Sequence, residues 1–127
     1  MATQGNQVRQ TFVAGADLSE KQYTFVVCNG VTADGADRTV VSPTAGGVAD
    51  GVVINNPADT HAATVVVFGR TKVKAGGTIA AGAEVQTNAQ GLVVNKTTGL
   101  SLGRALEAAV NGQIITIDFQ KSNTAAT

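Results

Sequence analysis

From Val52 onward, short runs of β-branched and other apolar residues alternate with turn-formers at intervals of about 8 to 12 residues, and no other feature limits the fold so tightly. The runs are GVVINN, ending at Asn56-Pro57, ATVVVFG from Ala63 to Gly69, and RTKVK from Arg70 to Lys74, after which Gly76-Gly77 breaks the chain. AEVQT (Ala83 to Thr87), LVVNK (Leu92 to Lys96), SLGRAL (Ser101 to Leu106) and QIITIDF (Gln113 to Phe119) follow. Branching at Cβ restricts χ1 and suits the pleated surface of a strand. Many short, evenly spaced strands predict an all-β domain, a compact barrel or sandwich. One segment resists. Arg104 to Gly112 holds strong helix formers and a Gly placed as a helix cap, but it is too short for a stable isolated helix. A strand to about Leu106 followed by a turn is predicted there, with one helical turn as the alternative.

The chain is 127 residues long, enough for one domain. Its apolar fraction is 43%, but it holds only four Phe, one Tyr and no Trp, so the predicted core is thin and built from small side chains. Residues 1–20 are polar and Gln-rich and read as an extended N-terminal arm, residues 21–120 as a single β domain, and residues 121–127 as a polar tail. Within the domain, a strand from Tyr23 is predicted to end in a turn at Asn29-Gly30. The stretch after it reads as a surface excursion with one strand near Arg38 to Ser42.

Nine basic and nine acidic residues cancel, which argues against nucleic acid as the main partner. Residues 1–63 hold three basic and six acidic groups, residues 64–127 six basic and three acidic, so a subunit could be dipolar enough to pack against copies of itself. Cys28 is the only cysteine, and it reads as a buried small hydrophobe that fits a reducing cytosol. The polar start MATQGNQVRQ and the lack of a long apolar run predict a soluble protein made in the cytoplasm, with no membrane partner.

Catalytic chemistry finds little to work with. His61 is the single histidine, read as a surface residue in a loop entering a strand, so neither a metal set with Cys28 nor a nucleophile-base-acid triad is legible. Asp34 and Asp37 in DGAD lack the spacing and distal Glu of a calcium loop and suit an Asx turn. The Gly-rich pieces AGGVADG and AGGTIAAG lack the Lys-Ser or Lys-Thr ending of a phosphate loop. No enzyme activity, metal or cofactor is expected.

Two features suggest binding instead. Arg70, Lys72 and Lys74 fall at alternate positions, so a strand would carry all three on one face, either as a solvated guard or as a contact for an acidic patch. In the arm, Val8, Thr11, Phe12 and Val13 can form a short strand. The arm is expected to add to a partner's sheet edge with Phe12 as anchor, or else to pack on its own domain.

GGTIAAGAEVQTNAQGLVV (Gly76 to Val94) and LSLGRALEAAVNGQIITIDF (Leu100 to Phe119) resemble the head-decoration, or capsid cement, proteins of tailed bacteriophages. The likeness covers the last 45 or so residues well and the first 60 poorly. It implies a tulip-like β domain on the outer surface of the phage head that binds the major capsid protein and locks neighbouring subunits together. It also implies a homo-oligomer, commonly a trimer and in some relatives a dimer or monomer, and it supplies no active-site residues. The competing readings are a tail, fibre or surface module that binds a glycan or protein, and a carrier domain suggested by the hairpin GGTIAAGAEV. The first lacks aromatic platforms, and the second lacks a lysine at the hairpin tip.

Overall fold

The computed structural model describes residues 8–31, 35, 38–97 and 99–120. Among these it is all-β, with nine strands and no helix: β1 (Val8–Ala14), β2 (Thr24–Val31), β3 (Arg38–Val41), β4 (Gly51–Val53), β5 (Ala62–Lys74), β6 (Glu84–Thr87), β7 (Val93–Asn95), β8 (Gly103–Ala105) and β9 (Ile114–Phe119).

The strands form one continuous sheet in the order β1-β3-β2-β4-β5-β9-β8-β6-β7, and β1 also pairs with β5. That extra pairing closes the first five strands into a barrel and leaves β9, β8, β6 and β7 as a second sheet. The 13-residue β5 belongs to both, so the two runs ATVVVFG and RTKVK are one strand. Its first part, through Phe68, pairs with β1 and β4, and its second, from Gly69, with β9. Gly69 has a φ of 103°, in the left-handed region where a side chain is penalised, and it stands where the strand leaves the barrel.

Two cores follow. Phe12, Ala14, Leu18, Val26, Val40, Val53, Ala63 and Val65 fill the barrel. Phe25 and Val52 lie on the opposite face of the same barrel strands and pack with Val73, Ile79, Val85, Leu102, Ile115, Ile117 and Phe119. Adjacent residues of β2 and β4 thus serve different cores, which is why these strands read as unbroken apolar runs. The Phe25 and Phe119 rings meet at 6.0 Å between centroids, tilted by 37°, and tie the cores together.

The second sheet has an internal near-symmetry. Ile79 and Ala109 exchange both backbone hydrogen bonds at 2.9 Å, and each begins the same local course. Ala83 N–H donates to Ala80 O as Gln113 N–H donates to Val110 O, both at 3.1 Å, and Gly82 and Gly112 stand at the two tips with φ of 84° and 90°. Gly82 N–H bonds to Ala105 O and Gly112 N–H to Ala75 O. Residues thirty apart therefore play matching roles, and Arg104 to Gly112 is strand, bend and turn rather than helix.

Three sequence expectations change. Val8–Ala14 is not a free arm but the strand that closes the barrel, parallel to β3 and antiparallel to β5. Val8 to Val13 pair with β5 on one edge, and Val13 and Ala14 pair with β3 on the other. Asn29-Gly30 is not a turn: β2 runs on to Val31, and its register against β3 shifts between Cys28 and Gly30. The excursion after β3 is not all surface, since Pro43 and Ala49 are buried and Gly46 bonds to Thr87 and Leu100 of the second sheet. Residues 1–7 of the expected arm and the tail 121–127 lie outside the described residues.

Candidate partner-binding face

The exposed side of β5 is set by what its other side buries. Thr71 and Val73 point into the protein, so Arg70, Lys72 and Lys74 must face out, as alternation predicts. They stand about 7 Å apart along the strand. Phe68 adds an exposed phenyl at the barrel end of the row, half accessible at 50%, and Val8 of β1 lies opposite it and is 48% exposed. These are two of the large apolar side chains that the fold leaves outside.

The cross-strand neighbours of the three cations differ. Arg70 faces Asp118, Asp118 also faces Arg104, and Arg104 faces Glu84. This row of alternating charge crosses four strands and neutralises itself, the arrangement cross-strand pairing favours. Lys72 faces Thr116 and Lys74 faces Ile114, neither of them acidic. Beside Lys72, a concavity of about 230 Å³ is lined by Arg9, Tyr23, Ile54, Thr71 and Lys72. Tyr23 has a φ of 66°, unusual for a non-glycine residue. It is held there by its N–H to Val53 O at 2.7 Å and by Lys74 N–H to its own carbonyl at 2.8 Å.

The structure brings Val8 and the Arg70, Lys72, Lys74 row onto neighbouring strands, and it does not bring Phe12 or Val13 to that face. Phe12 is 7% exposed and belongs to the barrel core, and Val13 is half-buried between Thr39 and Ala62. Phe12 is therefore an anchor for the chain's own fold. Sequence reasoning missed Phe68, Arg9 and Tyr23. Phe68 was readable, since it continues the alternation of the cations, whereas Arg9 and Tyr23 come from distant segments and leave no local signal.

The remaining candidates lie elsewhere. His61 is exposed in the loop before β5. Cys28 is half-buried against the barrel core, with its N–H donating to Asp50 Oδ2 at 2.8 Å. Asp34 and Asp37 lie outside the described residues, among which no three His, Cys, Asp or Glu side chains group as metal ligands do. Asp17 lies in an exposed loop, its carboxyl held below the usual range by Ser19, whose hydroxyl and backbone N–H donate to it.

No protein-family model matches the chain, and no curated protein sequence matches it. Among solved structures, the fold is similar to that of the N base of the head fibre gp8.5 of bacteriophage phi29, with a TM-score of 0.73 and 19% identity. The match covers 90% of this chain and 94% of that one, so the closed barrel with its second sheet is a fold the two share almost from end to end.

Proposed function

We propose that the chain is a non-catalytic structural protein of a tailed-phage virion, attached to the outer surface of the head, where it binds the major capsid protein and stabilises contacts between neighbouring subunits. The observation that carries this reading is the likeness, over nine-tenths of both chains, to a phage head-fibre base. The cement-like pieces Gly76 to Val94 and Leu100 to Phe119, which build most of the second sheet, agree with it. Such a protein acts in many copies, so a modest interface at each site adds up to firm attachment. A homo-oligomer, with a trimer favoured, suits that role. The same likeness favours a second reading, in which the chain is the base of a head fibre and carries a projecting element outward.

Quantitative mass spectrometry of purified particles tests both. A copy number close to that of the major capsid protein supports the cement role, and a small fixed number of copies supports the fibre base. Absence from the particles overturns both.

A further inference from the structure

The second half of β5 has one edge covered by β9 and one that is covered only at its ends. Alternate residues of an antiparallel ladder turn their N–H and C=O groups to opposite edges. Ala75 N–H donates to Gln113 O beside β9 at 2.7 Å, whereas Lys74 N–H donates the other way, to Tyr23 O at 2.8 Å. By that alternation Arg70 and Lys72 share the edge of Lys74, away from β9. β1 lies along the same edge. In the barrel, Ala14 N–H donates to His61 O and Ile54 N–H to Thr64 O, so the odd residues there face β1 and the even ones β4. The register then steps from Arg9↔Val66 to Val8↔Phe68, which puts one extra residue into β5 and turns Phe68, Arg70 and Lys72 toward the β1 side. Between Phe68, covered by Val8, and Lys74, covered by Tyr23, the edge is open for about 20 Å. Among the described residues no strand pairs with it there, and the Lys72 carbonyl accepts only a long bond from its neighbour Thr71 Oγ1, at 3.4 Å. The concavity of about 230 Å³ lined by Arg9, Tyr23, Ile54, Thr71 and Lys72 lies alongside.

We propose that the residues preceding Val8 fill this opening, with Thr3 to Gln7 continuing β1 antiparallel to β5 along Gly69 to Val73. Because β1 runs antiparallel to β5, its backward extension from Val8 heads toward Lys74. Carrying on the Val8↔Phe68 register sets Asn6 opposite Arg70 and Gln4 opposite Lys72, the two residues whose backbone groups face the opening, and Gly5 opposite Thr71. Five residues span it, and seven stand before Val8. Gly5 brings no side chain to the concavity beside Tyr23 and Ile54, so the backbone can approach closely. An open backbone edge is a template for pairing with any extended chain, and covering it leaves β5 offering only side chains outward. This closure belongs to the fold and does not depend on the virion reading above.

The test is solution NMR on the ¹⁵N,¹³C-labelled full chain. Cross-strand contacts are expected between Asn6 and Arg70 and between Gln4 and Lys72, and the Arg70 and Lys72 amides are expected to exchange with solvent at least about tenfold more slowly than unstructured amides. Gln4→Pro removes an N–H that faces β5 and is expected to speed Lys72 exchange about tenfold, whereas Gly5→Pro, whose N–H faces away, is expected to leave it unchanged. The proposal is overturned if Arg70 and Lys72 exchange at the unstructured rate in the full chain, if the two proline variants act alike, or if protection survives deletion of residues 2–7. Protection that grows with protein concentration would also overturn it, by assigning the opening to a strand from a second copy.

Discussion

The barrel and the second sheet solve the same problem with different residues. Five strands close around a narrow interior, so among the described residues Phe12 and Leu18 are the largest side chains of its core, and Val and Ala, with the half-buried Cys28, fill the rest. The second sheet packs against the outside of barrel strands β2 and β4, and that wider space takes Phe25, Phe119, Ile79, Leu102, Ile115 and Ile117. A chain poor in aromatics can therefore build two cores, provided that one is a closed barrel and the other borrows the barrel's wall. The difference also locates the surface available to partners. The barrel's five strands pair around the ring, and β5, the strand both regions share, carries Phe68, Arg70, Lys72 and Lys74 outward.

If the shared wall joins the two regions into one cooperative unit, Phe25→Ala has the largest effect. It removes the ring that meets Phe119 and opens a cavity at the junction, costing about 3 to 5 kcal/mol. Chemical denaturation followed by near-UV absorbance and by backbone circular dichroism is expected to give one coincident, shifted transition. Two separate transitions would show that the barrel and the second sheet fold independently.

Phe12→Ala asks which side of the comparison β1 belongs to. With Phe12 buried in the barrel, truncation is expected to cost about 3 kcal/mol in stability, because a narrow barrel has no other side chain to refill the space. An unchanged midpoint of unfolding would mean that β1 is not part of the closed core.

The first two effects concern burial, and the next separates burial from surface. Reversing all three charges in R70E/K72E/K74E is expected to change stability by less than about 1 kcal/mol, since exposed pairs contribute little and Arg70 alone faces an acid. Attachment to phage heads is expected to weaken and to become less sensitive to salt. A large fall in the unfolding midpoint would mean that the row Arg70, Asp118, Arg104 and Glu84 holds the fold rather than guarding its surface.

How much of this was legible in the sequence follows the same division. The second sheet was readable because its strands are separated by short turns and alternate cleanly: Arg70, Lys72 and Lys74 out, Thr71 and Val73 in. The barrel was not. Its order, β1-β3-β2-β4-β5, places a parallel pair next to strands distant in sequence, and a seven-residue strand that closes a ring looks locally like any polar extension. Val8, Thr11, Phe12 and Val13 did signal a strand, but what it would pair with depends on β3 and β5, and no local pattern reports that. The face on β5 was half readable for the same reason, since the cations share one strand and Arg9 and Tyr23 reach them only through the fold.

The most direct test is a cryo-electron microscopy map of intact particles. It is expected to show the barrel and second sheet on the outside of the shell, with Phe68 to Lys74 of β5 turned toward the major capsid protein and β1 closed within its own barrel. Density for the chain inside the head, or outside it with the β5 face turned to solvent, would contradict that arrangement.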